Sequence, residues 1–354
     1  MPEEYVVTGL MSGTSLDGVD LACAEFTRSS GAWQFRIIEA ETTPYPASLK
    51  EQLEEAVSWK MEKIGDLNLS LGRHYAELIN DFHNRNNLAP DLVASHGHTI
   101  LHEPDKGITL QAGDGATMAR LTGTTVITDF RSEDVAQGGQ GAPLVPVGDR
   151  LLFGGYGACL NLGGFANISY EGKQNQRIAF DVGPCNLALN WIAGLRGVDF
   201  DRDGAIAGTG TIGQNLLARL NALEYYLKDP PKSLGKEWLT DLFLPLLEQS
   251  QMNVPDLMAT VVEHIAIQLT AVLKEADIRS LLVTGGGALN QTLLKRLREY
   301  SGTGIEIPHT DLINYKEALV FGLLGLLKYL GEVNCLASVT GGVSDLSAGI
   351  VHRI

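Results

Sequence analysis

Glycine-rich turns carry the residues of this sequence whose types and spacing suit chemistry on phosphates. The first turn lies in residues 9–20, GLMSGTSLDGVD, between two apolar runs. Its glycines let the backbone come close to a ligand, and its amide and hydroxyl groups can hold a phosphate. A hairpin turn that binds nothing is the alternative, and the density of hydroxyls and acids makes it weaker. The nucleotide-binding candidates are Gly13, Thr14, Ser15, Leu16, Asp17, Gly18, Val19 and Asp20.

Two carboxylates of the same turn, Asp17 and Asp20, suit a hydrated divalent cation. Mg²⁺ keeps most of its waters and prefers oxygen ligands. We therefore predict that these two acids hold Mg²⁺ through water.

Two further glycine turns follow apolar runs in the second half of the chain. One comes directly after residues 158–162, and the other, residues 285–287, lies between a predicted strand and a predicted helix. Bare backbone at a helix N-terminus suits a phosphate or a flat base and ribose, although a structural turn is as plausible for residues 285–287 alone. Three such turns facing one cleft would hold a nucleoside triphosphate without a lysine. The added candidates are Gly163, Gly164, Gly285 and Gly286.

Two acids are the candidates for work at a reacting centre. Asp181 lies at the end of a predicted strand in FDVGPCN, residues 180–186, and Pro184 separates it from the helix that follows. A helix N-cap is therefore a weaker interpretation than a functional carboxylate at the rim of the sheet. Glu317 opens the apolar helix 317–330, where a first-turn acid stabilised by the helix dipole is the simpler interpretation of this residue alone.

Histidines at positions 96, 98 and 102 form an H-x-H-x₃-H run. On a strand His96 and His98 would point to one face, as a pair of metal ligands would. No acid or thiol at ligand spacing completes such a site. A substrate pocket, or a core histidine with a hydrogen-bond partner, is therefore the favoured interpretation.

Composition limits the class of protein and its partners. A length of 354 residues predicts two domains, and a formal net charge of −15 argues against nucleic acid or an anionic membrane as a partner. Four scattered cysteines predict reduced thiols. The acidic start predicts no signal peptide, and the apolar segment 318–327 is too short for a bilayer, which needs ~20 residues. These features predict a cytoplasmic protein.

The order of predicted elements indicates an α/β protein. Each half opens with strand, glycine turn and strand, and then mixes strands with packing helices, two of which divide near Gly65. This weak duplication predicts two lobes with a cleft between them. The glycine-rich segment from residue 131 is the predicted boundary. Residues 1–130 with 339–354 would form the N-terminal lobe, and residues 131–338 the C-terminal lobe.

Motifs along nearly the whole chain together resemble the anhydro-N-acetylmuramic acid kinase family, part of the actin, sugar-kinase and heat-shock-chaperone ATPase superfamily. The matching stretches are GLMSGTSLDGVD at 9–20, SHGHT at 95–99, LQAGD at 110–114, DFR at 129–131, GGQGAPLVP at 138–146, NLGGFANIS at 161–169, FDVGPCN at 180–186, DRDG at 201–204, TGGGALN at 284–290 and EALVFGLL at 317–324. As a set they are far more specific than any one glycine turn.

The resemblance implies a two-lobed actin-like, ribonuclease H-like ATPase fold with a duplicated domain and an interdomain cleft. It implies phosphate loops at 9–20 and 161–169, an adenosine loop at 284–290, and ATP and Mg²⁺ as cofactors. The implied reaction cleaves the 1,6-anhydro bridge of the sugar with water and phosphorylates the freed O6. The product would be N-acetylmuramic acid 6-phosphate, in peptidoglycan recycling.

In that reaction Asp181 would be the base that activates water, and Glu317 would help to orient the water. His96 and Arg131 would hold the sugar, with Arg131 suited to its lactyl carboxylate. The expected partners are the anhydro amino sugar and ATP, with no nucleic acid and no membrane, and a homodimer is left open. A plain sugar kinase, an actin-like filament, a sugar-sensing regulator and a metal hydrolase through His96 and His98 are the alternatives.

Overall fold

The computed structural model describes residues 3–13 and 16–354, which form two compact units. The first unit comprises Met1–Leu152 with Tyr315–Ile354, and the second comprises Phe153–Asn314. Each unit is built on its own sheet with packing helices, so the predicted α/β class is confirmed.

Strands and helices alternate along the described chain. The strands are β1 Glu3–Ser12, β2 Val19–Ser29, β3 Ala32–Thr43, β4 Leu92–Glu103, β5 Ile108–Ala112, β6 Thr125–Thr128, β7 Ala158–Leu162, β8 Phe165–Glu171, β9 Arg177–Pro184, β10 Ser280–Thr284, β11 Gly304–Glu306 and β12 Ile350–His352. The α-helices are α1 Ala47–Glu55, α2 Met61–Asn86, α3 Gly115–Thr122, α4 Ser132–Ala136, α5 Val145–Leu152, α6 Asn186–Gly194, α7 Ala205–Thr209, α8 Gln214–Asn221, α9 Lys236–Trp238, α10 Leu244–Gln249, α11 Val254–Glu275, α12 Gln291–Ser301, α13 Thr310–Leu330 and α14 Ala337–Thr340. Short 3₁₀ segments are Ala56–Ser58, Pro104–Lys106, Arg202–Gly204, Glu224–Leu227 and Gly286–Leu289, and Leu239–Phe243 is a π-helical turn.

The two sheets repeat one topology. In the first unit the strand order is β12-β6-β4-β1-β2-β3, with β5 paired to β4. Strands β1, β2 and β3 form an antiparallel meander, whereas β4 is parallel to β1 and β6 is parallel to β4. In the second unit the order is β11-β10-β7-β8-β9, again an antiparallel meander followed by two parallel strands. This repeated order is the ribonuclease H-like arrangement, so the predicted duplication is confirmed.

Periodic apolar residues explain the main helices. Helix α2 buries Ile64, Leu67, Leu71 and Tyr75 at helical spacing. Helix α13 lies backbone against backbone on the first sheet, because a Cβ at Gly9 would overlap the carbonyl oxygen of Ala318. Both helices thus pack on the first sheet through residues of the first unit.

Helix α11 is the only described helix long and apolar enough to cross a membrane. The protein buries 72% of its most apolar window, and Val261, Ile265 and Leu269 lie in the core of the second unit. Its apolar face is therefore the face of a core helix.

The unit boundaries differ from the predicted lobes 1–130 with 339–354 and 131–338. Residues 131–152 and 315–338 belong to the first unit. The glycine-rich segment folds back onto that unit through Asp134, whose Oδ2 accepts from the Gly141 amide (2.7 Å) and whose Oδ1 accepts from the Thr340 hydroxyl (2.7 Å). Its composition therefore marks a loop and not a boundary.

One local prediction also changes. Helix α2 is continuous through Gly65, where a Cβ would meet nothing within 4 Å, and the break lies before Met61. Strand β4 includes both His96 and His98 and runs on to Glu103, because its second half pairs with β5.

Candidate active site

The first glycine turn joins β1 to β2 and begins directly after Ser12. Leu16 has a positive φ of 57° and donates its amide to the Gly13 carbonyl (3.2 Å). Gly18 is pressed against β3, since a Cβ there would lie 2.6 Å from the Thr43 carbonyl oxygen. Two predicted contacts, Thr14 and Ser15, lie outside the described residues. The described part is a tightly folded strand-turn-strand, as predicted.

The predicted magnesium acids differ in setting. Asp17 is exposed in the turn, whereas Asp20 is half-buried on β2 and its Oδ1 accepts from the Thr42 hydroxyl (2.6 Å). Burial raises the pKa of Asp20, the Thr42 hydroxyl lowers it, and the negative charge of Asp17 raises it again. A divalent cation would relieve that repulsion, so the two acids fit a hydrated Mg²⁺.

Buried His96 and half-buried Arg131 form one hydrogen-bonded pair in the first unit. Arg131 donates from Nε (3.2 Å) and Nη2 (2.8 Å) to His96 Nε2, and from Nη1 to the Gly141 carbonyl (2.5 Å). The other ring nitrogen, Nδ1, lies 2.8 Å from the Gly97 carbonyl, so it carries the proton. Burial and the Arg131 charge hold the pKa of His96 well below its ordinary value. His96 is thus a neutral acceptor for the guanidinium.

Glu317 lies near the same cation. Burial is the main cause that raises the pKa of Glu317, the Lys316 and Arg131 charges lower it, and Asp20 raises it. The ammonium of Lys316 lies 2.7 Å from Asp149 Oδ1, and both side chains are almost fully buried. In this unit the fold therefore brings Asp20, Arg131 and Glu317 within electrostatic reach of one another.

His98 belongs to a different buried network. Its Nδ1 lies 2.8 Å from Ser12 Oγ, which lies 2.6 Å from the Tyr45 hydroxyl, and Tyr45 lies 2.9 Å from the Tyr75 hydroxyl. Burial lowers the pKa of His98 to about 4, so its ring is neutral. This chain of hydrogen bonds fixes Ser12, the last residue of β1 before the first glycine turn.

The metal-ligand interpretation of the histidines finds no support among the described residues. His102 pairs with the Thr109 hydroxyl (3.1 Å), and His96 and His98 have the separate partners given above. No group of three or more His, Cys, Asp or Glu side chains in residues 3–13 and 16–354 is arranged to hold a metal ion.

Gly163 and Gly164 join β7 to β8 in the second unit. The Gly163 carbonyl accepts from the Asn186 amide (3.0 Å), and the Gly164 carbonyl accepts from the amides of Cys185 (2.9 Å) and Leu187 (3.1 Å). The turn is therefore fixed on the first residues of α6.

Gly285 and Gly286 lie beside that turn. Gly285 has a φ of +80°, and a Cβ there would meet Asn161 and the Leu162 carbonyl. The side chain of Asn186 joins the two turns. Its Nδ2 donates to the Leu162 carbonyl (2.9 Å), and the same side-chain amide group lies next to Gly286. The glycines precede a 3₁₀ turn rather than opening helix α12 directly, whose N-cap is Asn290. The second unit thus brings both predicted turns together at the carboxyl ends of the neighbouring parallel strands β7 and β10.

Asp181 lies within β9, which continues to Pro184 because residues 183 and 184 pair with β8 across a bulge. The sequence predicted that the strand ends at Asp181, but Asp181 lies inside the strand and not at the rim of the sheet. Its carboxylate is half-buried, and Oδ2 accepts from the Leu234 amide (2.9 Å). Burial raises the pKa of Asp181, and the Leu234 amide lowers it.

Similarity to known proteins extends over the chain. A family model for anhydro-N-acetylmuramic acid kinase matches residues 5–353. This chain belongs to the anhydro-N-acetylmuramic acid kinase family. Relatives of that name include a Rhizorhabdus wittichii protein, 35% identical over 99% of both chains, and a Sulfurimonas denitrificans protein, 32% identical over 100% of both. A Shewanella sp. (strain ANA-3) relative is 34% identical over 99% of this chain and 98% of its own.

Solved structures of other proteins are similar at much lower identity than these kinases. The activator of the 2-hydroxyisocaproyl-CoA dehydratase from Clostridium difficile, with bound ADPNP, has 12% identity and a TM-score of 0.44, over 90% of this chain and 93% of its own. A ROK family glucokinase from Streptomyces griseus, in complex with glucose and AMPPNP, has 11% identity and a TM-score of 0.38, over 92% and 99%.

Several residues that support the candidate site of this anhydro-N-acetylmuramic acid kinase family member escaped sequence reasoning. Lys316 and Asp149 are far apart in the chain, and only Lys316, a cation close to the apolar run 318–327, offered a signal. Asn186 is the last residue of the FDVGPCN motif, but its role in joining two turns depends on tertiary contacts. The contact of the Leu234 amide with Asp181 could not be predicted from the sequence, because nearly every residue type carries the same backbone N–H.

Proposed function

We propose that this kinase opens the anhydro ring of 1,6-anhydro-N-acetylmuramic acid with water and phosphorylates O6 with ATP. The observation that carries the proposal is the family match over residues 5–353, which includes all three glycine turns and both candidate acids. The products would be N-acetylmuramic acid 6-phosphate and ADP, which makes this a step of peptidoglycan recycling. Four buried cysteine thiols accord with a cytoplasmic enzyme.

The proposed reaction joins a hydrolysis to a phosphoryl transfer. Water attacks the anomeric carbon, the bond from that carbon to O6 breaks, and O6 attacks the γ-phosphorus as ADP leaves. One proton of the attacking water goes to a carboxylate base. Phosphoryl transfer to O6 depends on positioning and charge neutralisation rather than on covalent help.

Asp181 is the proposed base. Burial raises the pKa of its carboxyl group, which makes the carboxylate a better proton acceptor than an exposed aspartate. Glu317 is the proposed second group on the water; burial raises its pKa, and the Lys316 and Arg131 charges oppose part of that rise. The joint action of these two acids on one water is part of the proposal.

Arg131 is the proposed contact for the lactyl carboxylate of the sugar. His96 already fills two donor positions of the guanidinium and Gly141 a third, which fixes the plane of the fork. Both ring nitrogens of His96 have protein partners, so we propose that His96 holds the sugar through Arg131.

The nucleotide is proposed to bind the residues 13–20 turn, the Gly163–Gly164 turn and the Gly285–Gly286 turn. Bare backbone at these turns lets amides approach phosphates, base and ribose without side-chain obstruction. Asp17 and Asp20 would hold Mg²⁺ through water. The cation, when bound, would neutralise phosphate charge that this acidic chain does not offset with lysines.

The test is product analysis after incubation with ATP, Mg²⁺ and the anhydro sugar in ¹⁸O-labelled water. A phosphorylated sugar that carries one ¹⁸O atom is the expected product, since water supplies the oxygen at the anomeric carbon. If only the already open sugar is phosphorylated, the hydrolytic half of the proposal is wrong and a plain sugar kinase remains.

Asp181→Asn tests the base. We expect loss of at least ~10³-fold in turnover, because the amide cannot take the proton of water. Asp199→Asn, an exposed acid of the same unit, is the matched control and should turn over normally. Retained turnover in Asp181→Asn would remove Asp181 from this role.

A further inference from the structure

Strand β9 is an edge strand of the second sheet, and one segment covers its edge at Asp181. We call this segment, residues 225–234, the Asp181 clamp. The Asp181 amide donates to the Lys232 carbonyl (3.2 Å), and the Tyr225 hydroxyl donates to the Asp181 carbonyl (2.5 Å). Both backbone groups of Asp181 are therefore bonded by the same segment.

The clamp also bonds the side chain. The Leu234 amide donates to Asp181 Oδ2 (2.9 Å), and no donor in the described part of the chain bonds Oδ1. A neighbouring clamp residue, Tyr226, packs against Gly183, where a Cβ would lie 3.2 Å from the Tyr226 hydroxyl. That hydroxyl is fixed by His264 Nε2 at 2.7 Å. One carboxylate oxygen is thus held while the other remains open to a donor.

We propose that the Asp181 clamp is the positioning element of the catalytic base, and that the Leu234 amide holds Oδ2 so that Oδ1 accepts the proton of water. The inference rests on the proposed role of Asp181. Leu234 is a positioning residue here, since its amide contacts the base and not the sugar. Aimed in this way, the carboxylate needs no reorientation when the substrate arrives.

The groups around Asp181 determine in which direction the pH dependence of kcat/KM should move when the Leu234 amide is removed. Tyr225 faces it from the 3₁₀ turn, Lys232 belongs to the clamp with its ammonium over the Phe180 and Tyr225 rings, and Asn167 is its uncharged neighbour on β8. The Leu234 amide stabilises the ionised carboxylate. Without this amide, the acid limb of kcat/KM must move to higher pH.

The cleanest variant replaces Leu234 by its α-hydroxy acid analogue, leucic acid, through nonsense suppression. This change converts the amide to an ester, so it removes one N–H and keeps the side chain. We expect the acid limb to rise by about one pH unit, and kcat to fall about tenfold with KM for ATP unchanged, because a hydrogen bond to a charged group is lost. Leu234→Ala, which keeps the N–H, should leave the acid limb in place.

Tyr225→Phe is the second variant and protects the test against misfolding of the ester. It removes only the hydroxyl bonded to the Asp181 carbonyl, so we expect kcat to fall about fivefold while KM for ATP is unchanged. An unmoved acid limb in the ester variant, an equal shift in Leu234→Ala, or unchanged kcat in Tyr225→Phe would each overturn the clamp. Turnover in Asp181→Asn would instead overturn the base assignment itself, so the two failures are distinguishable.

Discussion

At the scale of single residues, the candidate site depends on groups kept in one charge state. His96 and His98 are neutral because burial lowers the pKa of each, and both are hydrogen-bond partners, His96 of Arg131 and His98 of Ser12. Arg131 is half-buried, and desolvation of its guanidinium lowers its pKa to about 10, which still leaves it charged at neutral pH. A neutral acceptor on one side of the guanidinium leaves its charge available for a carboxylate.

Arg131→Lys tests that arrangement. A lysine keeps the charge but cannot make the forked contacts with His96 and Gly141. We expect KM for the sugar to rise about tenfold or more, with KM for ATP unchanged, in steady-state kinetics. The matched control is Arg120→Lys on the exposed face of α3, which should behave as the parent protein. An unchanged KM for the sugar would contradict the assignment.

At the scale of elements, close backbone contacts position the strands that carry the turns. Helix α13 approaches β1 so closely that Gly9 has no room for a side chain. The same helix begins at Thr310, so Glu317 lies about two turns inside it and does not open the helix as predicted. The packing of α13 on the sheet therefore also positions this candidate acid.

Gly9→Ala should lower stability, because the added methyl would overlap the Ala318 carbonyl and the helix must shift. Overpacking of this kind costs about 1–3 kcal/mol. Gly65→Ala in α2 is the matched control, since a Cβ there meets nothing and alanine favours the helix by about 1 kcal/mol. Urea unfolding of the two variants should show opposite shifts of the midpoint. A midpoint for Gly9→Ala that equals or exceeds that of the parent protein would contradict the prediction.

Lys316→Met tests the buried ion pair with Asp149. Removing one partner leaves a buried charge, so we expect the free energy of unfolding to fall by about 3–5 kcal/mol. Replacing both partners, Lys316→Met with Asp149→Leu, should recover most of that loss, because no buried charge remains. A double variant as unstable as the single one would show that the loss comes from packing and not from charge.

At the scale of the whole molecule, buried histidines should make stability depend on pH. Burial lowers the pKa of His83 and His98 to about 4 and that of His264 to about 3. The unfolded chain binds protons near pH 6.5, whereas the folded chain does not until the pH is much lower. Their contribution is therefore fully present above pH 6.5 and is lost as the pH falls toward 4.

We expect the Tm to fall as the pH is lowered from 7 to 5. At pH 5 each of these histidines should lower the free energy of unfolding by about 2 kcal/mol. The raised pKa values of Asp20, Asp181 and Glu317 act in the opposite direction, because these folded-state carboxyl groups bind protons more readily than those of the unfolded chain. His83→Gln, which keeps a partner for Thr8, should make the curve flatter, and His309→Gln on the surface should not. A Tm independent of pH over this range would contradict the prediction.

The sequence by itself determined the α/β class, the duplicated strand-turn-strand openings and the family. Glycine turns, apolar runs and sequence motifs are local features, and they can be recognised in each half of the chain independently of the other half. The candidate acids Asp181 and Glu317 were found in the same way, because each lies in a recognisable motif.

Only the tertiary structure decided how those residues are supported. Residues 131–152 and 315–338 join the first unit through contacts between α5, α13 and the sheet, which no local composition encodes. The Lys316–Asp149 pair and the Leu234 amide on Asp181 connect positions far apart in the chain. Such contacts depend on which surfaces meet after folding, so a pattern within one segment cannot predict them.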